Sequence, residues 1–272
     1  MKKKIKQKPE YSQEHLAYLK KQKKKKVIIH VSRCLILVLL LGFWELFAGL
    51  KIIDPFITSS PSRVCKTIGD LYSNGTLFYH IGITLMETLA GFVIAVIVGY
   101  AIAVLLWASE SVRKILEPYI VVLNSLPKIA LGPLIIIWIG TGYDAIIFMT
   151  VFVSIIVCIM NMLAGFIAVD KTKLLLMKSM GASRWMILRK LIIPASLPAL
   201  MNTLKVAVGL AWIGSIMGEY IVSKAGLGYL IVYGGQVFKL DLVMCATFIL
   251  CVLAGGMYGI IALIEKKVVD KY

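Results

Sequence analysis

The apolar residues of this chain come in long unbroken runs, and that feature constrains the fold class before any other. A helix needs about 20 apolar residues to cross a bilayer core. Six runs meet that length, at roughly 28–50, 80–107, 115–139, 143–168, 195–218 and 242–264. A transmembrane barrel would instead show alternating segments of about ten residues. The expectation is an all-α integral membrane protein with six transmembrane helices. Composition agrees: of 272 residues, 60% are hydrophobic and 16% charged, against about 25% charged in a soluble domain. That apolar content also excludes disorder for the bulk of the chain. The first run is too long for a cleavable signal and is followed by no small-residue cleavage site, so it reads as an anchor.

The formal net charge is +16, and its distribution carries the topology. Eleven of the 30 Lys and Arg residues lie in the first 26 positions, and most of the others fall in short gaps between apolar runs. With the N-terminus placed inside, 23 positives face inward and five outward. The positive-inside rule then predicts both termini in the cytoplasm of a multi-pass cell-membrane protein. The positives form no patch on a folded surface, so membrane lipid is an expected partner and nucleic acid is not. The expected organisation is a polybasic arm (1–27), a first helix (28–50), an external segment (51–77), a five-helix core (78–264) containing a cytoplasmic loop (169–194), and a tail (265–272). The arm reads as an orientation signal on anionic headgroups, with a regulatory tail as the alternative.

Several features inside the runs point beyond anchoring. Gly91, Ala95, Gly99 and Ala103 recur every four residues, as do Gly214 with Gly218 and Gly255 with Gly259. Such spacing lets helix backbones approach closely. In the third run, Pro127 and Pro133 flank Gly132 and are expected to kink a single helix, a break that lipid tolerates where the backbone lines a cavity or is buried in protein. Lys128 and Lys205 fall near the midplane, where an ionised side chain facing lipid costs about 2.5–3.5 kcal/mol. Both should therefore face protein or water. They either make a translocation path electropositive or serve the structure, by pairing with Glu87 or holding carbonyls freed at the prolines. Glu219, at the outer end of the fifth run, is placed to pair with Lys224.

No catalytic or metal-ligand pattern is present. The five cysteines, Cys34, Cys65, Cys158, Cys245 and Cys251, are odd in number and lack C-x-x-C spacing, so they read as packing residues. None of the 22 glycines is followed by Lys, which excludes a G-x-x-x-x-G-K phosphate loop. The chain is expected to be no enzyme and to bind no cofactor itself.

Residues 169–194, VDKTKLLLMKSMGASRWMILRKLIIP, are basic yet rich in large apolar side chains. Leu176, Met180 and Trp185 approach a helical stripe, and Gly181 separates two short helical stretches. A solvated loop would not expose so much apolar surface. It lies on the membrane interface or docks a cytoplasmic partner. Gly181, nine intervening residues, then Leu191, Ile193 and Pro194 resemble the second half of the loop motif of ATP-binding-cassette (ABC) importer permeases. GASRWMILRKLIIPASLPAL extends that likeness. IPASLPALMNTLKVAVGLAWIGSIMGEY and KAGLGYLI resemble the fifth helix and following loop of the nitrate/sulfonate/taurine subgroup. LEPYIVVLNSLPKIALGPLIIIWIG, DPFITSSPSRV and TLMETLAGF resemble other segments of it, in collinear order across residues 45–268.

The resemblance implies a type I ABC importer permease fold and a set of partners. These are a second permease chain (identical or related), two cytoplasmic ABC ATPases that use ATP and Mg, and an extracytoplasmic solute-binding protein. Leu176, Met180, Gly181, Ala182, Arg184, Trp185, Leu191 and Pro194 would form the coupling loop. Glu87, Pro127, Lys128, Pro133, Lys205 and Glu219 are path candidates, with Glu219 near the outer gate. The sequence departs from the motif at Leu175, Leu176 and Met177, which stand where the family has Glu-Ala-Ala. The acidic anchor is thus missing, and Arg184 is a candidate for the ionic contact. The implied solute is a nitrate-, sulfonate- or taurine-like anion or a vitamin precursor. A secondary transporter would need inverted repeats and an ion-coupling carboxylate, for which Glu87 is the one candidate. A non-transporting anchor would not need the kinked third run or the membrane lysines.

Overall fold

The computed structural model describes residues 13–269. The first twelve residues of the basic arm and the last three of the tail lie outside the described residues. Every regular element among the described residues is helical. Two compact units are present, one ending at Arg63 and one beginning at Val64.

In the first unit, α1 (Gln13–Gly49) runs for 37 residues. Its basic stretch and its apolar run form one uninterrupted helix. Asp54 caps the short α2 (Pro55–Thr58) by accepting from the Phe56 N–H at 2.9 Å. Glu45 accepts from the backbone N–H and hydroxyl of Ser62 at 2.9 and 2.7 Å, which anchors the far end of this unit to α1.

The second unit is built on α4 (Leu77–Ala108), α7 (Tyr143–Ile167) and α10 (Ile193–Val222), following α3 (Pro61–Ser73). The four-residue repeat of small side chains decides how α4 packs: Ala95 and Ala103 are fully buried, and a Cβ on Gly91 would collide with the Thr150 side chain of α7. A Cβ on Gly99 would stand 2.9 Å from the Cβ of Cys158. From the other side, Gly214 brings α10 so close that a Cβ there would meet the Thr150 Cα at 2.6 Å. Thr88 of α4 and Ser215 of α10 close the contact with a buried hydroxyl–hydroxyl hydrogen bond of 2.7 Å. The glycines of α12 (Leu240–Val269) behave differently. Gly255 and Gly259 have open space around them, so their spacing does not mark a contact within the described residues. Instead α12 packs through Ile261 and Met257 onto Val208 and Trp212 of α10, and through Leu242 and Ala246 onto α11 (Leu227–Gln236).

The third apolar run is not one kinked helix. It divides into α5 (Glu110–Ser125) and α6 (Gly132–Ile139), bent by 84° with a 3-10 turn over Lys128–Leu131 between them. Pro127 sits in the break. Pro133 lies in the first turn of α6, where the backbone N–H it lacks would have had no helical partner, so it starts a helix rather than kinking one. Among the described residues, five helices are long and apolar enough to cross a membrane, and the bent pair makes a sixth span if counted as one.

Candidate functional site

The segment expected to dock a partner forms a helix–turn–helix. Asp170 caps α8 (Lys171–Ser179) by accepting from the Thr172 N–H at 2.8 Å. The turn closes with Ala182 N–H donating to the Met177 carbonyl at 3.0 Å and Gly181 at φ +75°. This is the left-handed C-terminal cap that favours glycine, which is why Gly181 divides the segment. Ser183 then caps α9 (Arg184–Ile187), accepting from the Met186 N–H at 3.3 Å. A π-turn over Leu188–Ile192 joins α9 to α10, and Pro194 follows it directly, so the N–H that proline lacks falls where the helix changes its hydrogen-bond pattern.

The predicted coupling residues split into two sets. Leu176, Met180 and Trp185 are 61%, 78% and 68% exposed, and Leu175 is exposed beside them. Ala182, Leu191 and Pro194 turn inward instead; Ala182 and Leu191 pack on the cluster of Phe166, Ile187, Leu188 and Ile192. The exposed set is therefore carried on a rigid base. Arg184 donates from Nη1 to the Ala108 carbonyl at the end of α4, 2.9 Å away, and so ties the segment to the bundle. Beneath α8 lies a cleft of about 580 Å³ lined by Trp107, Phe166, Leu174, Arg113, Lys171 and Lys178 among others. Its floor is apolar and its charged lining mainly basic. Glu110, which also lines it, is paired with Lys114 at 2.9 Å.

The membrane lysines take two different positions. The Lys128 ammonium lies 3.2 Å from Asn124 Oδ1 and 3.5 Å from the Asn124 carbonyl, one of those released where α5 stops. The expectation that a lysine would hold freed carbonyls fits this geometry. Lys205 does not meet Glu87. It forms an ion pair of 2.5 Å with Glu265, near the end of α12 that carries Lys266 and Lys267. The sequence reading placed Glu265 in the tail and so overlooked it, although helix continuity through Val269 brings it within reach.

Glu219 does not reach Lys224 either. It is buried, and its Oε2 accepts from the backbone N–H groups of Gly228 at 2.6 Å and Tyr229 at 3.3 Å, at the start of α11. A Cβ on Gly226 or Gly228 would run into this carboxyl, and Gly226 holds φ +110°. The A-G-L-G-Y stretch is thus a backbone cradle for Glu219. Glu87, fully buried on α4, faces the same place. Two further contacts fix the cradle to α4: the Leu227 N–H donates to Thr84 Oγ1 at 2.7 Å, and the Gly226 N–H to His80 Nδ1 at 3.0 Å.

A broken third span, a capped helix–turn–helix between α7 and α10, and a tightly crossed three-helix centre define the type I ABC importer permease fold. The inward-facing methionine ABC transporter MetNI superposes with a TM-score of 0.64 over 72% of this chain and 97% of that one, at 19% identity. A bacterial ABC transporter involved in alginate import superposes at 0.59 over 92% and 99%, with 14% identity.

Residues 91–270 match the family described as binding-protein-dependent transport system inner membrane component, and the chain belongs to that family. It is a multi-pass permease subunit of an ABC importer, not a catalytic subunit. Among its relatives, the taurine transport system permease protein TauC of Escherichia coli is 27% identical, over 80% of this chain and 81% of that protein. The riboflavin transport system permease protein RibX of Chloroflexus aurantiacus is 29% identical over 86% and 87%. A putative aliphatic sulfonates transport permease protein, SsuC of Bacillus subtilis, is 25% identical over 84% and 83%.

Proposed function

We propose that residues 169–194 receive a separate cytoplasmic ABC ATPase, and that the working importer contains two permease chains, two such ATPases and an extracytoplasmic solute-binding protein. ATP and Mg act at the ATPases. The second permease is a copy of this chain or a close relative. Both termini lie in the cytoplasm, on the same side as residues 169–194. The observation that carries this reading is the exposure of Leu175, Leu176, Met180 and Trp185 on a segment whose ends and turn are capped and which is held to the bundle by buried Ile187 and Leu188 and half-buried Leu174, Met177 and Leu191. A surface of that size and rigidity is suited to burial in a groove.

The family's acidic anchor is absent at Leu175, and basic groups take over the ionic part. Arg113, Lys171, Lys178 and Arg184 line the cleft below α8 and favour acidic side chains on the ATPase. The solute is small and is delivered by the binding protein. Relatives named for taurine, aliphatic sulfonates and riboflavin support either a sulfonate-like anion or a vitamin-like molecule. An electropositive path would rest on Lys128, because Lys205 is engaged by Glu265.

The test is co-purification of the partner ATPase with the full-length permease. Deleting residues 172–190 should abolish recovery of the ATPase while membrane insertion persists; undiminished recovery would refute the docking assignment. Lys128→Met should lower uptake of an anionic solute in proteoliposomes if that lysine lies on the path, and unchanged uptake would remove it.

A further inference from the structure

The carboxyls of Glu87 and Glu219 meet in the buried region between α4 and α10. Glu219 Oε2 is satisfied by the cradle, but Glu219 Oε1 and both oxygens of Glu87 have no hydrogen-bond donor. Glu87 is 0% exposed, Glu219 is 1% exposed, and the two interact directly. Among the described residues neither has a Lys or Arg partner; the membrane lysines bind Asn124 and Glu265 instead.

Most of the other polar groups near the pair are committed; the exceptions are the Thr84 hydroxyl, which also lies within reach of Glu219, and the buried indole N–H of Trp212 on α10, which has no acceptor. On α4, the Thr84 hydroxyl donates to the His80 carbonyl at 3.2 Å and accepts from Leu227 N–H, while His80 Nδ1 accepts from Gly226 N–H. Thr88 and Ser215 bond to each other. On α7, the Thr150 and Ser154 hydroxyls donate to carbonyls of their own helix at 2.8 Å each. On α10, Tyr220 is the remaining ionisable neighbour of Glu219. Tyr229, at the start of α11, stacks on the His80 ring. Two ionised carboxylates in this setting would combine desolvation with mutual repulsion, and no Lys or Arg among the described residues offsets either.

We propose that the Glu87–Glu219 pair holds one unit of positive charge, carried either by a proton shared between the carboxyls or by an alkali-metal ion seated between them. The fully buried, donor-less Glu87 aimed at a carboxyl that is itself fixed by two backbone N–H groups is the observation that requires it. The held charge turns a repulsive contact into a link between α4, α10 and the start of α11. The proposal does not depend on which solute is carried or on where the ATPase docks.

Infrared spectroscopy of the full-length protein in maltoside micelles at neutral pH tests it. A shared proton predicts a protonated-carboxyl C=O band in the wild type, equal to about one group, that disappears in both Glu87→Gln and Glu219→Gln. A metal ion predicts no such band, but a higher melting temperature in sodium or potassium chloride than in choline chloride at equal ionic strength, with the difference lost in Glu87→Gln. Glu87→Gln keeps the side-chain volume and offers an N–H to Glu219, so it is expected to melt no lower than the wild type. Glu219→Gln serves as the second variant if Glu87→Gln does not fold. The absence of both the band and the cation effect would overturn the proposal. So would a band or cation effect that survives both substitutions.

Discussion

Replacing Gly214 with alanine tests whether backbone approach at Thr150 sets the geometry of the bundle. The added Cβ would stand 2.6 Å from the Thr150 Cα, 3.2 Å from the Met149 carbonyl oxygen and 3.3 Å from the Thr150 N. All three are backbone atoms, so no side chain can rotate away. Ordinary contact between carbon atoms is about 3.5–4.0 Å, and α10 must therefore retreat from α7 by about 1 Å. Overpacking of this kind costs about 1–3 kcal/mol, while replacing a helical glycine with alanine returns up to about 1 kcal/mol. A net loss of about 1–2 kcal/mol is expected. Gly99→Ala, whose Cβ would face the Cys158 Cβ at 2.9 Å, should cost less because the overlap is smaller and the nearest backbone atoms stand 3.6 Å away. Gly255→Ala meets nothing within 4 Å and should be neutral or slightly stabilising. Reversible unfolding of the purified protein in mixed micelles, followed by tryptophan fluorescence, measures the series. Equal stability of Gly214→Ala and Gly255→Ala, or a reversed order, would refute the reasoning.

Three other outcomes follow from the same geometry. Trp185→Ala combined with Met180→Ala should reduce ATPase recovery at least tenfold, since exposed aromatic anchors of this kind carry about 2 kcal/mol or more of binding, and should leave the melting temperature unchanged. Arg184→Ala should lose the charge-assisted bond to the Ala108 carbonyl and lower transport per ATP hydrolysed more than it lowers ATPase recovery, as read in proteoliposomes. A double-mutant cycle on Lys205→Met and Glu265→Gln should show non-additive effects on the melting temperature; additive effects would show that the contact contributes nothing.

The helices themselves were legible because a membrane span needs little beyond length and hydropathy, and the runs over 80–107, 143–168 and 195–218 supply both. The tight face of α4 was legible as well, since a four-residue repeat of Gly and Ala has a direct packing meaning. The same repeat misled on α12, because spacing records that a close approach is permitted, not that a neighbour is there to make it. The third run showed its prolines but not its shape: Pro127 announces a break, yet nothing local gives the 84° angle, at which Gly132 comes to rest against Met149 of α7 and Ile221 of α10. Lys205 was misassigned because its partner, Glu265, lies on another helix and past the point where the apolar run ends. The Glu87–Glu219 contact joins residues more than a hundred positions apart, and no local rule could pair them. Two hints were present: each is an acid inside an apolar run, and G-L-G just after Glu219 marks a backbone that something must approach closely.

From Arg184 to Val222 the chain is helical for 39 residues, with its hydrogen bonding interrupted at the π-turn and at Pro194 and Pro198. At 1.5 Å per residue this rod is about 58 Å long, spanning from the exposed Trp185 at one end to the Glu219 cradle near the other. A tilt of only about 5° about one end would swing the opposite end by about 5 Å over that length. No chain of small side-chain adjustments is then needed to carry a displacement across the bilayer. With the ATPase docked at Trp185 as proposed, the rod would act as a lever pivoting where Gly214 rests on the backbone of Thr150, and moving that pivot would change the ratio between the stroke at the Trp185 end and the displacement at the Glu219 end.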